Sequence, residues 1–159
     1  MDVRAKVLTI SDSVHAGTRE DRSGPAVAVA LRKHAFEVVE QVVVPDGLAP
    51  VAAALLRLSG AFHGLVATTG GTGFAPSDLT PEATRTLLER EAPGLAEAMR
   101  AASPLGRLSR GIAGTVGFCL IVNLPGSTAG AVESIEAIVD VVPHALELLG
   151  GGHPHHPPG

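Results

Sequence analysis

The segment Phe62–Glu91, FHGLVATTGGTGFAPSDLTPEATRTLLERE, decides the fold class of this chain. Its first part, Phe62–Gly70, is mostly apolar and has two threonines before its last glycine, which predicts a buried strand of a largely parallel sheet. A glycine-rich turn follows, and Leu79–Glu91 then predicts a helix with Thr80 as its N-cap. A strand that leads through a glycine turn into a helix is the repeating unit of α/β proteins.

The same order of strand, turn and helix recurs along most of the chain. It predicts one α/β domain with a mostly parallel sheet and helices on both faces. The predicted strands are Val3–Ser11, a second within Glu37–Gly47 that ends at Pro45, and Phe62–Gly70, with one or two more within Leu108–Gly126. The predicted helices are Pro25–Phe36, Ala49–Gly60, Leu79–Glu91, Ala92–Ser103 and Ala129–Gly151, the last broken near Pro143, and Asp12–Gly24 is predicted as a polar loop. We expect the domain to cover residues 1–151, and residues 152–159 to form a flexible tail of His, Pro and Gly.

Composition and charge narrow the function. The 159 residues are 45% hydrophobic and 18% charged, which is typical of a single globular domain. The formal net charge of −4 argues against a nucleic-acid-binding surface, because such surfaces are usually basic. No apolar run approaches the roughly 18 residues of a membrane-spanning helix, so we expect a cytoplasmic protein without membrane contact. Cys119 is the single cysteine and lies in an apolar run, which predicts a core residue.

Four polar turns directly follow predicted strands. They are ISDS (residues 10–13), VPDG (44–47), TTGGTG (68–73) and NLPGS (123–127). Ligands of open α/β sheets bind beyond the carboxyl ends of the strands. Right-handed crossover connections bring several of these turns to one edge of the sheet, and the sequence therefore predicts a ligand site at that edge.

The glycine-rich turn is suited to binding phosphate. Gly70, Gly71 and Gly73 reach backbone angles that other residues avoid, and they have no Cβ to keep a ligand away. Their N–H groups can therefore point to one spot, and Thr69 and Thr72 add hydroxyl donors. The turn matches neither the Walker A pattern nor G-x-G-x-x-G. A tight strand-to-helix turn without any ligand is the alternative interpretation.

Two acidic residues accompany this turn. Asp46 and Asp78 each lie between a predicted strand and a predicted helix, and beside a bound phosphate they would require a cation. Mg²⁺ fits, because it takes oxygen ligands from one or two carboxylates together with substrate phosphates. Ser109 and Arg110 offer a hydroxyl and a guanidinium that can also hold a phosphate. The alternatives are a turn role for Asp46, a helix-capping role for Asp78, and plain surface positions for the other two residues.

Four blocks of the sequence, in order, carry a family resemblance. They are TTGGTGFAPSDLTPEAT (Thr68–Thr84), EREAPGLAEAM (Glu89–Met99), PLGRLSRGIAG (Pro104–Gly114) and LIVNLPGS (Leu120–Ser127). Together they resemble the molybdopterin adenylyltransferase family of molybdenum-cofactor biosynthesis, which includes the N-terminal domain of gephyrin. The similarity extends from about Val7 to about Leu149, which is nearly the whole chain.

The resemblance implies a three-layer α/β/α fold, a mixed sheet and a homotrimer. It implies an enzyme, a nucleotidyltransferase that joins ATP and molybdopterin into adenylyl-molybdopterin with release of pyrophosphate and with Mg²⁺ as cofactor. It also implies transient contact with the molybdate-insertion protein. A non-catalytic molybdopterin carrier and a trimeric scaffold of the same pathway are the alternative functions.

The resemblance also implies roles for particular residues. Asp46, Asp78 and Ser109 are expected to be catalytic, and the two aspartates are expected to hold Mg²⁺. Ser77 stands where relatives often carry an arginine. The residues expected to bind substrate are Ser11, Asp12, Ser13, Thr69, Gly70, Gly71, Thr72, Gly73, Arg110, Asn123, Pro125, Gly126 and Ser127.

Overall fold

A computed structural model of the chain describes residues 2–152, which form a mixed six-stranded sheet. Its strands are β1 (Val3–Ile10), β2 (Phe36–Val44), β3 (Gly64–Thr69), β4 (Arg90–Glu91), β5 (Ala113–Val116) and β6 (Cys119–Leu124). Their order across the sheet is β2-β1-β3-β6-β5-β4. The first four strands in this order pair in parallel, and β5 pairs antiparallel with both β6 and β4. The predicted α/β class with a mostly parallel, mixed sheet is confirmed.

Helices cover both faces of the sheet. They are α1 (Asp12–His15), α2 (Ser23–Lys33), α3 (Leu48–Ser59), α4 (Thr80–Arg85), α5 (Pro93–Ala101), α6 (Thr128–Glu136) and α7 (Val142–Leu149), with a 3₁₀ turn at Gly106–Leu108. Because successive strand residues point to opposite faces, β1 places Val7 among side chains of α2, α5, α6 and α7, and Leu8 among those of α3 and α4. Within residues 2–152, no helix has the length and apolarity needed to cross a membrane.

The segment that follows β3 differs from its prediction. The expected helix Leu79–Glu91 is shortened to α4, and the chain then turns into the short strand β4. Thr80 is not the N-cap, which is Leu79, because the Thr80 hydroxyl instead donates to the carbonyl of Gly70 at 2.9 Å. Thr80 therefore holds the glycine-rich turn.

The remaining predicted elements agree with the structure except in the loop after β1. The expected loop Asp12–Gly24 contains α1, whose four residues are too few to show helical periodicity, as well as the start of α2. The predicted break in the last helix is confirmed, since α6 ends at Glu136 and α7 carries Pro143 in its first turn. Cys119 is fully buried, as predicted, and burial raises the pKa of its thiol to about 12. Apart from Gly152, the predicted tail lies outside the described residues.

Candidate ligand-binding site

A cavity of about 390 Å³ lies at the carboxyl ends of the parallel strands. Each of the four predicted polar turns contributes at least one residue to its wall, so the structure brings these turns together. The lining residues are Thr9, Ile10, Ser11, Val14, Arg19, Glu20, Asp21, Arg22, Ser23, Asp46, Thr69, Gly70, Gly71, Asp78, Gly126, Ser127 and Thr128. Two of the turns are also helix N-caps: Ser11 accepts from the Val14 N–H and Ser127 from the Gly130 N–H.

The glycine turn follows β3 and packs tightly against its surroundings. Gly70 and Gly71 have φ values of 102° and 68°, in the left-handed region that favours glycine. A Cβ at Gly70 would collide with the carbonyl oxygen of Ile10, and one at Gly71 with the Thr80 hydroxyl. Glycine is therefore required at both positions by packing as well as by backbone angle.

Two of the predicted phosphate donors have protein acceptors in this structure. The Gly70 N–H donates to the Leu124 carbonyl at 3.2 Å, and the Thr69 hydroxyl donates to the Pro125 carbonyl at 2.7 Å. Both bonds join the glycine turn to the turn after β6. Within residues 2–152 the N–H groups of residues 71–73 have no protein acceptor, and of these three residues only Gly71 lines the cavity.

Asp46 is held at the cavity by its neighbour Asp12. The Asp12 N–H donates to Oδ2 of Asp46 at 3.0 Å, and the Asp46 N–H donates to Oδ1 of Asp12 at 3.0 Å. Burial raises the pKa of Asp46, and the negative charges of Asp12 and Asp78 add to the rise, while the bond from the Asp12 N–H opposes it. Asp46 therefore lies in an electronegative setting that a cation would relieve.

Asp78 borders the glycine turn near Gly73. Its Oδ2 accepts the Ala75 N–H at 3.0 Å and would lie 2.9 Å from a Cβ at Gly73. Oδ1 of Asp46 would lie 3.4 Å from a Cβ at Gly71, so the two carboxylates border adjacent parts of the turn. The Asp78 carboxylate supports the loop backbone, whereas the expected alternative was a cap on the following helix.

The two carboxylates suit a hard divalent cation. Among the residues that the structure describes, no hydrogen-bond donor contacts Oδ1 of Asp46 or Oδ1 of Asp78, so both oxygens can serve as ligands. The described part of the chain contains no group of three or more His, Cys, Asp or Glu arranged to hold a metal. Mg²⁺ commonly takes one or two carboxylates and completes its shell with water and phosphate oxygens, and the residues present fit that pattern.

Arg110 is bound to the protein rather than open to the cavity. Its guanidinium donates to the Gly73 carbonyl at 2.7 Å, to the Asp78 carbonyl at 2.6 Å, and through two bonds to the Glu82 carboxylate at 2.8 and 3.1 Å. The hydrogen bond from Arg110 holds the pKa of Glu82 below its usual range. Arg110 thus joins the glycine turn to α4 and fixes the backbone that carries Asp78.

Several other predicted substrate residues have structural contacts. Asn123 is buried: its Oδ1 accepts the Ile112 N–H and its Nδ2 donates to the hydroxyls of Thr68 and Thr84. Ser109 lies outside the cavity, and its hydroxyl accepts the Gly111 N–H at 3.2 Å. The predicted residues that line the cavity are Ser11, Asp46, Thr69, Gly70, Gly71, Asp78, Gly126 and Ser127. Those that do not line it are Asp12, Ser13, Thr72, Gly73, Ser109, Arg110, Asn123 and Pro125.

Sequence reasoning missed the segment Arg19–Ser23, which forms part of the cavity wall. Arg19 and Arg22 bring two guanidinium groups to a site whose other charges are acidic. The Arg22 side chain is 76% exposed and lies 3.6 Å from the Glu20 carboxylate. The available signal was the density of charge in TREDRSG (residues 18–24), in a chain that is 18% charged overall.

The fold and the cavity define an α/β protein with a cavity at the carboxyl edge of its sheet, the place where ligands bind in open α/β sheets. Comparison with known proteins identifies its family. A family model described as "Probable molybdopterin binding domain" matches residues 6–144. The chain belongs to this family of molybdenum-cofactor biosynthesis proteins, which confirms the resemblance seen in the sequence.

Individual relatives cover nearly the whole chain. Molybdopterin adenylyltransferase of Helicobacter pylori (strain J99) is 35% identical over 154 residues, which are 92% of this chain and 88% of the relative. Gephyrin of Dictyostelium discoideum is 34% identical over 90% of this chain, and the match spans 22% of gephyrin's length. The crystal structure of the molybdopterin biosynthesis enzyme MoaB of Thermus thermophilus has a TM-score of 0.87 and 46% identity, and the match covers 94% of this chain and 97% of that one.

Proposed function

We propose that this protein catalyses the Mg²⁺-dependent adenylylation of molybdopterin by ATP, with release of pyrophosphate. One observation carries the proposal: Asp46 and Asp78 both line the cavity and border the glycine turn, and each has one carboxylate oxygen that no donor among residues 2–152 contacts. The similarity to molybdopterin adenylyltransferase of H. pylori supports the choice of reaction. The cavity of about 390 Å³ falls within the range of small-molecule sites, roughly 300–1,000 Å³.

The proposed chemistry does not require a strong base. The terminal phosphate of molybdopterin would attack the α-phosphate of ATP, and a phosphate monoester is already ionised near pH 7. The obstacle is repulsion between anions, so positioning and electrostatic stabilisation would supply most of the rate. Bound Mg²⁺ would neutralise charge on the phosphates and on the leaving oxygen.

Residues of this chain would bind the reactants in distinct ways. Oδ1 of Asp46 and the carboxylate of Asp78 would hold the cation, and the free N–H of Gly71 would face a phosphate. Arg19 and Arg22 would attract the polyphosphate, because guanidinium groups bind phosphate through paired hydrogen bonds. Arg110, predicted from the sequence as a substrate ligand, would act instead by holding the backbone of Asp78.

The family resemblance extends the proposal beyond the single chain. We expect a homotrimer in the cytoplasm, where ATP is available, and transfer of the product to the molybdate-insertion protein. Both remain predictions that rest on the resemblance. Ser109 does not line the cavity, and its hydroxyl accepts the Gly111 N–H. A catalytic role for Ser109 would therefore require that the reactants extend beyond the cavity.

The decisive experiment incubates the purified protein with molybdopterin, ATP and Mg²⁺ and detects the AMP adduct by mass spectrometry. We expect the adduct and pyrophosphate in equal amounts, and neither in the presence of EDTA. Asp140→Asn is a matched control, because Asp140 is exposed and lies between α6 and α7, away from the cavity. Binding of molybdopterin without any response to Mg·ATP would favour a carrier and overturn the proposal.

A further inference from the structure

The turns after β1 and β2 mirror each other. The two strands pair in parallel up to Ile10 and Val44, and the Ser11 N–H extends the ladder by donating to the Val44 carbonyl at 3.0 Å. Two residues beyond each strand end stands an aspartate, Asp12 on one side and Asp46 on the other. Each aspartate accepts the backbone N–H of the other, at 3.0 Å in both directions.

This reciprocal pair determines how the Asp46 carboxylate is presented. Its Oδ2 is occupied by the Asp12 N–H, which leaves Oδ1 on the side of the glycine turn, 3.4 Å from the place of a Cβ at Gly71. The backbone of Asp46 is held at the same time through its own N–H. Asp12 does not line the cavity. Its side chain can therefore affect a bound ligand only through Asp46.

We propose that Asp12 is a positioning residue: its carboxylate accepts the Asp46 N–H and so holds the Asp46 backbone in the place where the Asp12 N–H can fix the rotation of the Asp46 carboxylate at the ligand cavity. This inference rests on the proposed function, and it replaces the expectation that Asp12 itself contacts substrate. Both turns are solvent-exposed at this contact, and neither aspartate belongs to the apolar core. Loss of the contact should therefore disturb the site more than the fold.

Three variants at position 12 separate positioning from folding. Asp12→Ala removes the acceptor for the Asp46 N–H, whereas Asp12→Asn keeps an oxygen acceptor of the same length. Asp12→Ser keeps a turn-forming side chain that is one bond shorter, and it takes the place of the alanine variant if that protein does not fold. Asp140→Asn controls for the loss of one negative charge elsewhere.

We expect Asp12→Ala to lower kcat for AMP transfer by roughly 10- to 100-fold, because small displacements of a catalytic group have effects of that size. KM for molybdopterin should change less than threefold, since Asp12 does not line the cavity, and Asp12→Asn should restore kcat to within about threefold of wild type. An independent readout is the amide ¹H–¹⁵N shift of Asp46 in the ligand-free protein. It should move in the alanine variant and stay near its wild-type position in the asparagine variant.

The outcomes are distinguishable. Wild-type turnover by Asp12→Ala, or equal losses in the alanine and asparagine variants, would overturn the positioning role while the proposed function stands. An unmoved Asp46 amide signal in Asp12→Ala would overturn it as well. Absence of the AMP adduct with the wild-type protein would overturn both the proposed function and this inference.

Discussion

Two parts of the cavity wall, the glycine turn and the Arg19–Ser23 segment, are built in opposite ways. The glycine turn is tied to three neighbouring elements through Thr69, Thr80 and Arg110. The Arg19–Ser23 segment instead presents exposed charged side chains, and its described bonds are mostly to its own neighbours, such as the Gly24 N–H to Asp21. In the proposed function, the carboxylates that would hold a cation lie on braced backbone, whereas the guanidinium groups that would attract a ligand lie on long, solvated side chains.

The largest effect is expected when one of the carboxylate charges beside the glycine turn is removed. Asp78→Asn should keep the fold and lower the rate of AMP transfer by about 100-fold or more, because it removes one preorganised electrostatic group. Asp46→Asn should have a similar effect. The rate is measured by mass detection of the adduct, with Asp140→Asn as control. Near-normal turnover in Asp78→Asn would remove Asp78 from the mechanism.

Removal of the brace itself should have an intermediate effect. Arg110→Met deletes the bonds to Gly73, Asp78 and Glu82 while keeping much of the side-chain volume. We expect the free energy of unfolding, followed in urea by circular dichroism, to fall by about 1–2 kcal/mol, since this side chain is one-third exposed. AMP transfer should fall as well. If Arg110 instead bound substrate directly, KM would rise with no change in stability.

In the Arg19–Ser23 segment, loss of a guanidinium should weaken the binding of ATP without lowering the stability of the fold. Arg19→Gln and Arg22→Gln should each raise KM for ATP by roughly 3- to 10-fold and leave the unfolding midpoint unchanged. The effect should shrink at high salt. Arg32→Gln is the matched control, because Arg32 carries the same charge but lies exposed in the last turn of α2. An equal change in that control would point to net charge rather than to the cavity.

The smallest expected effect concerns acid stability. Arg110 lowers the pKa of Glu82 below its ordinary value of 4.5, so this pair stabilises the fold above that pH. The contribution should disappear as the pH falls through the lowered pKa of Glu82. The free energies of unfolding of wild type and Glu82→Gln should therefore differ at pH 7 and converge in acid. The difference at pH 7 should be small, because Glu82 is partly exposed. Divergence on acidification would contradict the assignment.

The sequence predicted the architecture well because strands and glycine turns have local signals. The strand before TTGGTG and the break near Pro143 both follow from residue type and spacing. The edge at which Asp46 and Asp78 meet also follows, since parallel strands place their carboxyl ends together.

The hydrogen-bond partners of the polar side chains could not be predicted from the sequence. An arginine beside a serine suits phosphate or a carboxylate equally well, and only the fold shows that Arg110 faces Glu82. Asn123 likewise lies in a turn pattern typical of ligand sites, yet its amide joins β3, β6 and α4. The Arg19–Ser23 wall was missed because a charged stretch without periodicity reads as solvated loop.

The burial of Cys119 has a practical consequence. Its thiol is inaccessible and keeps its proton at neutral pH, because burial raises its pKa to about 12, and the chain has no other cysteine. A cysteine introduced at exposed Asp140 would then be the one site open to maleimide dyes. Because the chain also has no tryptophan or tyrosine, the protein itself would add almost no ultraviolet fluorescence to that of the attached dye.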